Sequence, residues 1–459
     1  MVHTIDDVVE RGMCIGCGAC SVATKGAVVV TLGRAGVFEA DLSGASDVDR
    51  RVASRVCPFS DDAVDGNQLE PPSMDGISEY DDRIGWFTKL YVGRRTSDDF
   101  LEGSSSGGVC TWLLKDLMDR GEIDAVIHVG GDSEIGQLFG YCISDSTEQL
   151  FARRKSIYSA TTMRDVLEQV KHREQRFVLV GVPCFIRAAR LLAAEDASLG
   201  LRIKYYFGLV CGHMKSQLYA ESLAWQVGIS PGQLEGVDFR VKSSGRAASD
   251  YDFAAWSTSS HQRVLIPTSA LIGANWGHAA MQPEACNFCD DIFAETADVA
   301  FGDAWLAKFA DEWRGTSLVV SRRPELDALL NEGAMAGYLD LESCTLDEAV
   351  EAQAGNFRHR RIGMDIRRAD DIARGLSVPS RRSWPRGDAP SPRRERVIRR
   401  RRILSRMSLE AFQRAKVESD LGVYLEVMRQ QINLYKRSEA SYFTRILRKV
   451  RFLLKRLGR

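Results

Sequence analysis

Apolar positions in this chain come in short dense runs whose period changes along the sequence. KLYVGR (89–94), DAVIHVG (124–130), LFGYCIS (138–144), FVLVGV (177–182) and KYYFGLV (204–210) are rich in β-branched and aromatic residues and predict strands. Between them, Val109–Arg120, Thr162–His172 and Pro183–Ala194 carry apolar residues at helical spacing. FVLVGV reads as a buried strand. This alternation predicts an α/β fold with α+β elements, built on a mixed, largely parallel sheet. Residues 236–320 are richer in strands, with VDFRV, RVLIP, DVAFG and SLVVS. No internal repeat is present.

Punctuation divides the chain further. Residues 1–62 are loop-rich, and 63–85 are acidic, carry Pro71–Pro72 and read as a linker. Residues 86–175 and 176–345 form the two parts of the core. Residues 346–380 read as a helical extension and 381–459 as a basic tail. Within these, 378–400 reads as a second linker, rich in Ser, Pro and Arg, with helix resuming near Leu409.

Composition narrows the class. The chain has 459 residues, 44% hydrophobic and 27% charged. Such values exclude a disordered chain, a collagen-like fibre and a small disulfide scaffold. No apolar run approaches the roughly 18–20 residues of a spanning helix. Acidic Asp6, Asp7 and Glu10 stand where a secretion signal would be basic, so a cytoplasmic protein is expected. The net charge of −1 hides an asymmetry, because residues 381–459 hold 23 Lys/Arg against 7 Asp/Glu. YFTRILRKVRFLLKRL (442–457) has helical amphipathic spacing, with ERVIRRRRILSRM (395–407) as a second basic segment. Such a tail either lies on an anionic membrane surface, making the protein peripheral there, or docks on the acidic body. Nucleic-acid binding is disfavoured, because the core has no run of interleaved aromatic and basic residues.

Eleven cysteines are many for a reducing compartment and point to metal or redox use. CIGCGAC places Cys14, Cys17 and Cys20 at C-x2-C-x2-C spacing. Short steps fold three thiolates around one corner of a 4Fe-4S cluster, and the glycines let amides approach the sulfides. Position 24 is Thr, so the fourth ligand is assigned to Cys57, which precedes Pro58. The competing reading is a zinc knuckle. Cys286 and Cys289 form a lone C-x2-C. Cys184 follows one strand and Cys211 ends another. If those strands are parallel neighbours, both thiols reach the sheet edge where ligands bind. That spacing leaves open a second four-thiolate site or four core cysteines. Cys110, Cys142 and Cys344 read as packing residues.

Taken together, CIGCGAC, GSSSGGVCTWLL, KSIYSATT, VGVPCFIRAA, GLVCGH, VDFRVK, CNFCDD and ADVAFGDAW resemble the family of coenzyme F-420 hydrogenase/dehydrogenase beta subunits, which includes plant 7-hydroxymethyl chlorophyll reductase. The segments occur in family order over about residues 10–320. The resemblance implies an oxidoreductase with FAD and 4Fe-4S clusters. It implies that Cys184, Cys211, Cys286 and Cys289 hold a second 4Fe-4S cluster beside the flavin. It likens residues 1–62 to an added ferredoxin-like domain. It makes Ser104, Ser105, Ser106, Gly107 and Gly108 flavin contacts; a Gly/Ser turn before a helix offers amides, hydroxyls and a positive dipole end to a phosphate. Lys155, Ser156 and Tyr158 match another flavin-proximal segment.

For proton donation Lys242 and His278 are favoured over His213, Asn275, Trp276 and Asp303, because a reducing flavin site needs a donor near its substrate. The inferred route runs from a ferredoxin or other redox donor through the clusters and FAD to a small-molecule substrate, or in reverse. Coenzyme F-420 is a candidate substrate, and an electron-input subunit of a larger complex is the alternative. A reading of another class is a non-catalytic zinc-stabilised module.

Overall fold

The computed structural model describes residues 2–64, 69, 79–97, 101, 103–131, 137–381 and 390–440. Eight of its strands are β1 Lys89–Arg95, β2 Ala125–Gly130, β3 Gly140–Ser144, β4 Phe177–Gly181, β5 Ile203–Leu209, β6 Val299–Asp303, β7 Ser317–Ser321 and β8 Leu339–Ser343. They form one sheet in the order β8-β1-β7-β6-β5-β4-β2-β3. Its centre, β6, β5, β4 and β2, is parallel. Antiparallel strands flank it: β3 on one side, β7, β1 and β8 on the other. The predicted mixed sheet thus keeps its parallel strands at the middle, where both faces are covered.

β4 shows why. All five of its residues are buried. Phe177 and Leu179 face a core shared with Phe185 and Ile186 of helix α2 (Pro183–Glu195). Val178 and Val180 face the opposite core with Leu113 and Leu117, from a helix that precedes α2 in the chain, Val109–Asp119 (α1). The period of two therefore divides one apolar run between two layers.

Residues 2–64 add three short helices and the hairpin Val29–Leu32/Phe38–Asp41. Ile5, Val8 and Met13 join the same core as Phe177. The unit is also tied by backbone groups: Met163 N donates to Cys17 O at 3.0 Å, and Gln217 N donates to Gly36 O at 2.8 Å. The expected linker ends in structure, since Glu79–Asp81 pairs with Gly85–Phe87 as a hairpin.

A three-stranded antiparallel sheet, Leu234–Val241, Asp252–Ser257 and Val264–Pro267, packs with two C-terminal helices, Pro392–Glu418 and Leu421–Glu439. The first of these corrects the second expected linker, because helix begins at Pro392 rather than near Leu409. Ser391 Oγ accepts from Arg394 N at 3.3 Å, and a proline in the first turn has no amide to leave unpaired.

The basic segment 395–407 lies inside this helix and docks on the body. Arg402 reaches Asp371 at 2.7 Å and also pairs with Glu284. Arg399 reaches Asp370 at 2.8 Å. Residues 442–457, the other half of the expected membrane-facing tail, lie outside the described residues. Among the described residues no helix is long and apolar enough to cross a membrane.

Candidate functional site

Cys14, Cys17, Cys20 and Cys57 line one cavity, together with Ile15, Gly16, Pro58 and Phe59. Gly16 has φ +62°, and a Cβ there would stand 2.1 Å from that of Phe38, so only glycine fits this turn. Gly16 N and Ala40 N each lie 3.4 Å from Cys14 Sγ, donating to it. Burial pushes the Cys57 thiol up to about 12 and raises Cys17 and Cys20 as well, with the neighbouring thiols of the set adding to the rise. Four soft donors that resist ionising together call for positive charge at their centre, which metal supplies. Among the described residues no three His, Cys, Asp or Glu side chains are arranged to hold a single metal ion.

The second set assembles from three segments. β4 and β5 are parallel neighbours, with Gly181 opposite Gly208. Cys184 and Cys211 follow them at the same sheet edge. Cys286 lies in the turn Glu284–Asn287, with Cys289 just beyond. Burial raises the Cys184 thiol most, and Cys289, Cys211, Cys286 and then Cys17 raise it further. The four predicted cysteines are thus brought together, and the first set lies beside them. Tyr141 stands between, since Cys184 and Cys17 both act on its hydroxyl, which burial already raises. Its ring stacks on Phe185 at 5.8 Å. Cys110, Cys142 and Cys344 contribute to neither set; Cys142 donates to His128 O at 3.4 Å and Cys344 to Thr345 O at 3.3 Å.

The Gly/Ser turn meets the Lys155 segment directly. Ser156 N donates to Ser105 Oγ at 2.7 Å. Ser104 is buried, and Ser106 Oγ donates to Thr316 O at 3.2 Å. A Cβ on Gly107 would meet Gly93 O at 2.6 Å, so the turn lies tight against β1. Gly108, at φ +75°, turns the chain into α1.

Several cations surround this turn, among them Arg154, whose Nε donates to Gly103 O at 3.1 Å. Lys155 lies 3.3 Å from Asp238. Arg240, which sequence reasoning missed, donates to Ser105 O at 3.3 Å and pairs with Asp303 at 3.0 Å. Lys242 donates to Ser106 O at 3.2 Å and to Arg314 O. Burial, then repulsion from Arg240, lowers the Lys242 pKa to about 7. A cluster of cations on a turn before a helix suits a phosphate or pyrophosphate.

Tyr158 is half-buried in an aromatic group rather than standing free. Its ring meets Trp276 at 4.8 Å and Phe239 at 5.2 Å. Trp276 in turn lies 4.4 Å from His213, two residues from Cys211. These rings connect the Lys155 segment with the second cysteine set. His278 lies in the same short turn as Trp276. Its ring packs edge-on against Tyr435 at 5.5 Å, and its Nδ1 is buried without a hydrogen-bond partner. Burial and the nearby Lys436, Lys215 and Arg401 lower its pKa to about 4, so the ring is neutral at pH 7.

A second missed residue is Arg360, in a π-helical turn (Arg358–Ile362). It is 3% exposed and donates to Cys289 O at 2.9 Å and Cys211 O at 3.1 Å. The only signal in the sequence was a basic run, RHRR, outside the resembling segments.

Comparison with known proteins places these residues. Residues 90–168 match the N-terminal model, and 174–346 the C-terminal model, of the coenzyme F-420 hydrogenase/dehydrogenase beta subunit. One subunit of the F(420)H(2) dehydrogenase of Methanosarcina mazei is 26% identical over 223 residues, 46% of this chain and 56% of that protein. A coenzyme F-420-dependent sulfite reductase of Methanocaldococcus jannaschii is 25% identical over 221 residues, 45% of this chain and 32% of that protein. The chain therefore spans about half of the first relative and a third of the second. A solved chain from the F-420-reducing NiFe hydrogenase complex of Methanosarcina barkeri gives a TM-score of 0.47 at 17% identity, covering 67% of this chain and all of that one. The two matched regions together take in more than half of the sequence, with the Gly/Ser turn and all four cysteines of the second set inside them, and the chain belongs to the family of coenzyme F-420 hydrogenase/dehydrogenase beta subunits.

Proposed function

We propose that this protein is an iron–sulfur flavoprotein oxidoreductase that exchanges electrons with a deazaflavin of the coenzyme F-420 type, working with a separate redox partner. The observation that carries the reading is the gathering of Cys184, Cys211, Cys286 and Cys289 from three segments, joined by Trp276 and Tyr158 to the segment that touches the Gly/Ser turn. The printed names of both curated relatives, which refer to F-420, support the choice of carrier.

Each quartet offers the thiolate set of a 4Fe-4S cluster. Zinc would draw four thiolates to about 2.3 Å from one point; the triple C-x2-C-x2-C run, with two backbone amides donating to Cys14 Sγ, favours the larger cluster in the first set. Ser105, Ser106, Arg240 and Lys242 would hold the phosphates of FAD. A flavin bound there would supply the change between two-electron and one-electron chemistry. This chain's part is to hold the phosphates with fixed cations and to keep water out through Trp276, Tyr158 and Phe239. Lys242 is the proposed proton donor, because it combines a pKa of about 7 with contact to the turn. His278, neutral at pH 7, is proposed to orient substrate rather than to donate a proton.

The test is anaerobic purification followed by metal, sulfide and flavin analysis. Two 4Fe-4S sites predict about eight iron and eight sulfide per chain, with one FAD bleached by reduced coenzyme F-420. Stoichiometric zinc without sulfide would overturn the proposal. The Methanosarcina mazei relative is named as one part of a dehydrogenase, which favours one variant of this reading, in which the chain delivers its electrons to a larger complex. Turnover with F-420 but with no small-molecule acceptor, restored by a partner protein, would distinguish that variant.

A further inference from the structure

Resting on the cluster reading of the second cysteine set, we infer that the segment after residue 346 supplies that set's counter-charge, through Arg360 above all, and so makes the second centre more easily reduced than the N-terminal one.

The geometry is specific. Arg360 donates to four carbonyls around the ligands: Cys289, Cys211, Gly212 and Asp291, at 2.6–3.1 Å. Arg367 donates to Asn287 O at 2.9 Å, and Arg381 to Phe288 O at 2.6 Å. Three arginines from outside the matched family regions thus grip every residue from Asn287 to Cys289, and Arg360 also bonds the Cys211 thiol. Arg360 and Arg367 are 3% and 2% exposed. Among the described residues neither pairs with a carboxylate.

A buried cation without an anion is destabilising unless something compensates it. The four carbonyls that accept from Arg360 carry no net charge, and two of them belong to Cys289 and Cys211. A cubane held by four thiolates is an anion in both redox states, so it fits as the missing partner. Reduction adds one more negative charge, and a fixed cation favours the reduced form.

At Cys289 Arg360 is the strongest charged neighbour; Asp290 and Asp291 oppose negative charge there, and Arg381 favours it. The N-terminal set is different. The strongest charged groups acting on its thiols are Glu39 beside Cys14, which opposes negative charge, and Arg381 beside Cys57, which it shares with Cys289 of the second set. One cation against one carboxylate gives no comparable bias.

The experiment is an EPR-monitored redox titration of the full chain. Cys17→Ser and Cys289→Ser assign the two signals. In the unaltered protein the second centre should have the higher midpoint potential. Arg360→Met should shift its one-electron equilibrium toward the oxidised form by at least tenfold, which is about 59 mV for one electron. Arg360→Lys should retain most of the potential, and the N-terminal signal should stay in place in both variants. A second centre with the lower potential in the unaltered protein, or an unmoved potential in Arg360→Met, overturns the inference. Should Arg360→Met lose its iron, the order of the two potentials and the Lys variant decide alone. Absence of a second iron–sulfur signal from the unaltered protein would instead defeat the cluster reading itself.

Discussion

Ser156 donates its backbone N–H to the hydroxyl of Ser105 at 2.7 Å, joining two chain segments 51 residues apart into the one surface proposed to bind the flavin phosphates. Replacing Ser105 by Asp puts a carboxylate where a phosphate is expected. Flavin content, read from the visible spectrum, should drop at least tenfold while iron is retained. Unchanged flavin would place the cofactor elsewhere. Gly107 is a poorer target, because any side chain there strikes Gly93 O and Ser317 N and disturbs the sheet.

The two cysteine sets should separate under mutation. Cys17→Ser is expected to remove about half of the iron and sulfide, given two 4Fe-4S sites, and to leave FAD bound. Cys289→Ser should remove the other half and abolish turnover. Full iron in both variants would contradict the ligand assignment.

Lys242 gives a pH signature. Folding lowers its pKa from 10.5 to about 7, so between these values the unfolded chain holds a proton that the folded chain has released. Its contribution to stability therefore rises with pH across that window. Lys242→Met removes the burden of a buried charge. In flavin-free protein its gain in melting temperature should be largest near about pH 6 and shrink toward about pH 10. A constant difference would mean that the lysine is not perturbed.

Asp371 holds three parts of the chain together. It is fully buried and reaches Arg11 at 2.7 Å and Arg402 at 2.7 Å. Removing one member of such a group leaves charges buried and unpaired, so Asp371→Asn should cost about 3–5 kcal/mol in denaturant unfolding. Burial opposes the charge of Asp371, but Arg402 and Arg11 hold its pKa below the ordinary 3.8. The stability it contributes is present above about pH 4 and disappears as pH falls through the lower folded value. The Asn variant should accordingly show a weaker acid dependence.

Membrane attachment, proposed from residues 442–457, is best tested with a form ending at Ala440, which keeps the docked helices. Full-length protein should pellet with anionic vesicles at low salt and this form should not. Equal behaviour of the two would remove the membrane proposal.

The strands around the sheet were legible because each is a short, nearly unbroken apolar run, as in Phe177–Gly181. Cys14, Cys17 and Cys20 were legible because their spacing is local. Cys184, Cys211, Cys286 and Cys289 needed the family resemblance as well, since β4 and β5 are what bring the first two together. Arg360 and Arg402 could not be read. An arginine in a basic run looks solvent-seeking, and the carbonyls and carboxylates that accept it here lie 31 or more residues away in sequence: Glu284, Asp371, Cys211 and Cys289.

The grip of Arg360, Arg367 and Arg381 on the turn from Asn287 to Cys289 also bears on the order of assembly. All four cysteines of the second set leave the ribosome before the segment that closes over them. On the proposed cluster reading, metal enters an open site and the arginines then close over it. A chain stopped at residue 346 keeps every cysteine of both sets but lacks this cover. It should load iron and then bleach in air faster than the full chain.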